Sequence, residues 1–287
     1  SARVKEQLFR RWDEFNNTSF DLDGSLRQEL TPYDRLTVTE SFVHAEEPRS
    51  FDDILGTVSG RYSYTRNRLR LSYEHDMSKQ LTFSYRLSHE LDEYSTDLLR
   101  DSWLLGAGAS AEWLLNSRCR TFASYDLARR RYEHLGASWT HTTAAGCRYY
   151  FTSRSMLETL AGLDFIDPVR GERETYPRLS VSLNNTIDEV SYARLEASLR
   201  HDTDAGTVYV KRSRRITGTL GRRLSRRLGG ELSAFYGRAE LRGSGINDKL
   251  TGADTALTYD ITDDVTGSLG YVYSAVSSNA ASRERSE

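Results

Sequence analysis

The chain has 287 residues and a formal net charge of -2, with 39 Lys and Arg against 41 Asp and Glu. No apolar run reaches the roughly 18 residues of a transmembrane helix, and a charge balance this close to zero leaves no electrostatic footprint for nucleic acid. The mean hydropathy of -0.62 would suit a soluble protein, but it suits a transmembrane β-barrel equally, because half of every barrel strand faces a polar lumen.

Residues 1–16 are polar, lack a clean period and read as a loop or the tail of an earlier strand. Alternation then begins. Phe20, Leu22, Leu26 and Leu30 fall on one side, and Asp21, Asp23, Arg27 and Glu29 on the other. After a tight turn at 31–34, residues 35–45 return with Leu36, Val38 and Phe42 outward, interrupted by Glu40. A polar loop covers 46–55. Residues 56–75 change phase midway, from Tyr62 and Tyr64 to Leu69, Leu71 and Tyr73, and are read as one long strand with a bulge.

The stretch 81–91 alternates Leu81, Phe83, Tyr85 and Leu87 with polar residues. The clearest strand is 103–115. Every second residue from Trp103 to Leu115 is apolar, with Trp103 and Trp113 ten positions apart. At about 3.3 Å per residue that is roughly 33 Å of strand. Tilted by about 40°, it spans the roughly 25 Å apolar band of an outer-membrane barrel, with an aromatic residue near each interface. A lone strand cannot satisfy its backbone in lipid, so its neighbours must be staves too. The scheme repeats at 119–131, 135–151, 157–165, 179–187, 193–201, 208–224, 228–241, 253–261 and 265–273, giving fourteen staves.

The connections sort into two kinds. Tight ones fall at 31–34, 76–79, 115–117, 152–154, 188–189, 225–227 and 262–264. Several read apolar, then Ser, Thr, Asn or Asp, then polar, then apolar, as in Leu224-Ser225-Arg226-Arg227-Leu228. Longer ones fall at 46–55, 92–101, 167–176, 202–206 and 242–248, with 131–133 a short exception. Short turns on one rim and long loops on the other are the plan of outer-membrane barrels. Residues 277–287 look loop-like and lack a closing strand. With both ends on the long-loop rim, the intact barrel is expected to have sixteen or more strands, with at least one beyond each end of this chain.

The polar phase supplies the predicted channel lining: Arg61, Arg70, Arg86, Glu90, Glu112, Arg118, Arg120, Asp126, Arg148, Arg194, Glu196, Arg200, Arg215, Arg223 and Glu231. This pattern fits a wet channel of mixed charge, or a wall stiffened by Arg–carboxylate pairs. Arg outnumbers Lys, and its planar fork suits carboxylate or phosphate. The predicted aromatic girdle is Trp103, Trp113, Tyr73, Tyr85, Tyr149, Tyr259 and Tyr273. The Arg clusters at 129–131, 212–215, 222–223 and 226–227 are rim or lumen charges that could also meet lipid phosphates. Phe122, Tyr150 and Phe235 are candidate rings in the lumen phase for a sugar to stack on, but they are scattered.

A hairpin folding near Glu133 would set Cys119 opposite Cys147, within disulfide range; two reduced cysteines in small apolar sites are the other possibility. The six His show no metal spacing, and His141 and His201 fall in the lipid phase. No catalytic group is singled out, and no cofactor or metal is expected.

Glu47-Pro48-Arg49-Ser50-Phe51, Gly56-Thr57-Val58-Ser59-Gly60-Arg61-Tyr62, Tyr64-Thr65-Arg66-Asn67-Arg68-Leu69 and Ser78-Lys79-Gln80-Leu81-Thr82 resemble segments of the outer-membrane β-barrel porins found beside exopolysaccharide and PEP-CTERM sorting genes. The resemblance implies a barrel surrounded by outer-membrane lipid, and an outer-membrane exit for polysaccharide served by periplasmic export machinery. The expectation is therefore an all-β, antiparallel, up-and-down transmembrane barrel in one domain over 1–287, in the bacterial outer membrane. Its expected role is a channel for a polysaccharide or other polar solute. The alternative is a structural barrel sheathing a partner such as a multihaem electron conduit.

Overall fold

The computed structural model describes residues 2–7, 17–45, 63–97, 99–203, 208–262, 265–279 and 285–286. They form β1 (Ala2–Gln7), β2 (Asn17–Thr31), β3 (Asp34–Ala45), β4 (Tyr64–Asp76), β5 (Leu81–Tyr94), β6 (Ser102–Asn116), β7 (Cys119–Tyr132) and β8 (Gly136–Tyr150). The second half holds β9 (Ser155–Asp167), β10 (Glu174–Thr186), β11 (Ser191–Thr203), β12 (Val210–Arg223), β13 (Leu228–Leu241), β14 (Ile246–Asp260), β15 (Thr266–Ser278) and β16 (Arg285–Ser286). Each strand pairs antiparallel with the next in chain order, in one sixteen-stranded sheet. Among the described residues no ladder joins β1 to β16. The fourteen strands β2–β15 are the fourteen predicted staves. Residues 2–7 form a strand on β2, the earlier-strand alternative of the reading, whereas residues within 277–287, read as loop-like, extend β15 and add β16.

The seven tight turns share one device, which explains their sequence pattern. In each, the side-chain oxygen of the first polar residue accepts an N–H two or three residues on. The acceptors are Thr31, Ser78, Asn116, Thr152, Asp188, Ser225 and Thr262. The β7–β8 connection lies at 133–135 instead of 131–133, because His134 takes a left-handed φ of 58° and Tyr132 pairs with Gly136. Among the described residues β4 has no bulge: it pairs without a register shift with both β3 and β5. Residues 46–62, including the polar loop and the rest of the expected long strand, lie outside the described residues.

Period 2 divides the sheet into an apolar outer face and a polar inner face. Leu87, Leu105, Leu195, Leu220 and Leu257 stand exposed on the outer face. On the inner face the Phe122 ring lies flat over Gly146 and the Phe235 ring over Gly252, each where a Cβ would strike the ring. These glycines let a bulky ring lie along a curved wall instead of projecting from it.

Burial is uneven along the strand axis. The fully buried large side chains, Tyr132, Ile166, Leu241, Leu250, His201, Asp92, Asp164 and Asp248, all belong to the half of the strands next to the long loops. There Tyr64 packs with Ala45 and with Leu99 from the β5–β6 loop, and Ile166 packs with Tyr176 and Val210. The inner wall of the turn half stays open.

Candidate functional site

The inner face is the candidate site. Its chemistry is Arg–carboxylate pairing between strands, in two regimes. In the loop half a chain of ions crosses β4, β5 and β7: Arg68 meets Glu90, Glu90 meets Arg130 at 2.7 Å, Arg130 meets Asp92 at 2.9 Å, and Asp92 meets Arg66. Ser102 accepts a further bond from Arg130 at 3.0 Å. Side-chain exposure is 1% at Asp92 and 7% at Arg130. On β8–β11 the fully buried Asp164 accepts from Thr142 and Arg178, both at 2.8 Å. Beside it the His201 ring stacks on Tyr176 with centroids 4.5 Å apart, and Arg242 lies over Tyr176 at 4.8 Å.

In the turn half the pairs are wet. Arg86 meets Asp126 at 2.9 Å, Arg120 meets Glu112 at 2.9 Å, and Arg148 joins Glu112 at 3.3 Å to Glu158 at 2.8 Å. Arg35 bridges Glu74 and Asp76 at the rim. Exposed pairs of this kind contribute about 0–1 kcal/mol each, so they leave the wall charged and hydrated without clamping it. Between β10, β11, β12 and β13 a basin of about 580 Å³ opens at the turn rim, with Asn184, Tyr192, Arg194, Arg223 and Glu231 in its wall. Tyr192 donates to Glu231, and Arg194 donates to the Asn184 carbonyl at 2.7 Å. The basin wall holds Arg194, Arg222 and Arg223 against Asp188, Glu189 and Glu231. In the turn at its edge, the Val190 amide donates to Asp188 and holds that carboxyl below the usual carboxylate range.

The predicted lining maps onto this face with few exceptions. Arg70, Arg200 and Glu196 continue the inner phase of β4 and β11, and Arg215 lies over the Phe235 ring at 4.8 Å. Arg118 occupies the β6–β7 turn instead of a strand, so it edges the wall without lining it. Arg61 lies outside the described residues. Phe122, Tyr150 and Phe235 sit on β7, β8 and β13 and form no continuous stacking surface. His201 is not on the lipid face. The β10–β11 ladder ends at Leu179–Leu199, and beyond it β11 also touches β8 and β9, which carries the imidazole inside. Asp92, Arg130, Asp164 and Arg178 follow the same alternation as the predicted residues, so phase alone would have found them.

The residues of the predicted girdle lie on the outer face. Trp113, Tyr85, Tyr149 and Tyr259 are exposed toward the turn rim, and Tyr73 stacks on Tyr85 at 6.3 Å. Trp103 stands near the loop rim, joined by Trp139, which the expected girdle omits. Tyr273 is nearer mid-height on β15 than either rim. Cys119 and Cys147 share this face but are diagonal neighbours, because Cys119 pairs with Tyr149 and Cys147 with Thr121. Their sulfurs are 3.3 Å apart and unbonded. Among the described residues no cluster of His, Cys, Asp and Glu is arranged to hold a metal.

No family model and no curated protein matches the sequence. Solved structures do match the fold. The FrpB iron transporter from Neisseria meningitidis, F5-1 variant, aligns with a TM-score of 0.58 and 9% identity over 91% of this chain and 54% of that one. The copper transporter OprC gives 0.55 and 10% over 94% and 54%. The open form of the ferric-catecholate import receptor Fiu from E. coli K12 gives 0.52 and 11% over 96% and 60%. The chain spans little more than half the length of these structures, and its fold is that of bacterial outer-membrane β-barrels.

Proposed function

We propose that the chain forms the wall of an outer-membrane transport barrel that passes a polar solute along its inner face. The observation that carries this is the division of one sheet into a lipid-suited face with aromatics toward both rims and a hydrated face of mixed charge. The mixed wall of the turn-rim basin suits a hydroxyl-rich solute such as a polysaccharide, the cargo implied by the porin resemblance. Arg forks and the Tyr192–Glu231 pair would exchange hydrogen bonds with it. The direction on this reading is export.

A second reading is uptake of a metal chelate. It is favoured by the fold likeness to iron and copper transporters. Conductance of the full-length protein in a planar bilayer separates the two. Steps blocked by anionic oligosaccharides support the export channel. A closed barrel that binds a ferric chelate, read by tryptophan quenching, supports uptake. A folded barrel that does neither sinks both readings.

A further inference from the structure

On the outer face of β6–β8, near the loop rim, Arg129 lies between two tryptophans. Its guanidinium carbon is 5.9 Å from the Trp103 ring centre and 5.2 Å from that of Trp139. Arg131 stands opposite Trp103 in the ladder. The Arg129 Nε is buried without a hydrogen-bond partner, and among the described residues neither arginine has a carboxylate within ion-pair distance. This contrasts with the inner face, where arginine after arginine is paired. At the same rim a hollow of about 530 Å³ is lined by Leu91, Trp103, Arg131 and Leu135, with three acids, Glu93, Asp101 and Glu133, also in its wall; Asp101 accepts from the Tyr94 amide at 2.8 Å. Glu133 is engaged by His134 at 3.1 Å.

A cation on the lipid face is tolerated only near the interface, where it can reach an anion. Three chemistries meet at this spot. The arginine forks suit a phosphate, taken bidentately. The indole rings suit the face of a sugar at headgroup depth. Below them Leu105, Leu127 and Leu87 continue an apolar strip for acyl chains. One molecule uses all three together: a phosphorylated glycolipid.

We propose that Trp103, Arg129, Arg131 and Trp139 bind the phosphorylated sugar headgroup of an outer-leaflet glycolipid. The proposal rests on the outer-membrane reading above. The full-length barrel in detergent is titrated with diphosphorylated lipid A, with its dephosphorylated analogue and with inorganic phosphate, followed by tryptophan fluorescence and native mass spectrometry. The expected result is one tightly held diphosphorylated lipid per barrel, bound at least tenfold more weakly after R129Q/R131Q and equally weakly by wild type when the phosphates are removed. Equal binding of the dephosphorylated analogue overturns the proposal, and it does so on wild-type protein even where the double variant does not fold. Full competition by inorganic phosphate at the same concentration also overturns it, by making the site one for free phosphate. Membrane fractionation of the wild type keeps the two readings apart. A protein absent from the outer membrane defeats the parent reading, whereas one present there but blind to lipid phosphate defeats this proposal alone.

Discussion

Replacing Asp92 by Ala tests whether the loop half of the wall is packed as an interior. The carboxylate is 1% exposed and is shared by Arg66 and Arg130, the latter 7% exposed. Removing one partner of a buried pair typically costs about 3–5 kcal/mol, because the charge left behind has lost both water and partner. Arg130 retains Glu90 at 2.7 Å and Ser102 at 3.0 Å, which places the expected loss near the lower bound, about 3 kcal/mol. That is roughly two decades in the folding equilibrium, at about 1.4 kcal/mol per decade. Asp126→Ala is the internal reference. Its pair with Arg86 is 40% and 47% exposed, so its loss is expected to cost about 1 kcal/mol or less. Both variants are refolded into vesicles and unfolded in guanidinium chloride, followed by tryptophan emission and heat-modifiable gel mobility. If D92A and D126A fall within about 0.5 kcal/mol of each other, the loop half is as wet as the turn half and the reasoning fails.

Gly162→Ala should destabilise by about 1–3 kcal/mol in the same assay, because its Cβ would overlap the Thr143 carbonyl oxygen and sit 2.9 Å from the Ala144 Cα. Gly229→Ala, with nothing within 4 Å, should leave the midpoint unchanged. Unreduced protein in denaturant should take up two maleimides, at Cys119 and Cys147, because diagonal placement holds the sulfurs in contact without a bond; a mass lower by two hydrogens with no labelling would contradict the register. The Asp188 carboxyl is held low by the Val190 amide. A depressed acid contributes stability that is complete above its unfolded pKa and is lost as pH falls through the folded one. Hydrogen exchange at Val190 should therefore stay protected at mild acidity and lose protection only well below about pH 3.9; uniform protection down to strong acid would show that the side chain does not hold this turn.

The strands were readable because a lipid-facing row and a lumen-facing row force strict alternation, and the turns because each needs a short oxygen-bearing side chain at its first polar position. The assumption that apolar means outward is what fails. At the loop end Tyr64, Val210, Leu241 and Leu250 point inward and are buried. Tyr64 therefore mimics a phase change, and among the described residues the ladders of β4 contain no bulge to explain it. His201 fails for the same reason: β11 leaves β10 after Leu199, an event of tertiary packing with no local signal. The cysteine register slipped by two residues because a left-handed His134 moves the turn, and a non-glycine residue rarely adopts that conformation. Arg129 was visible as one of a run of arginines, but its two tryptophans come from different strands.

The uneven burial makes the wall a stiff collar joined to a compliant skirt. A body entering from the skirt meets exposed ion pairs, with the Phe122 ring among them, and separating such pairs costs little. The same body arriving at the collar must separate Asp92 from Arg130 and lift Leu99 or Val210 from their aromatic neighbours. On the transport reading proposed above, the threshold for passage would be set from one side, by residues in the dry loop half rather than by the most exposed charges.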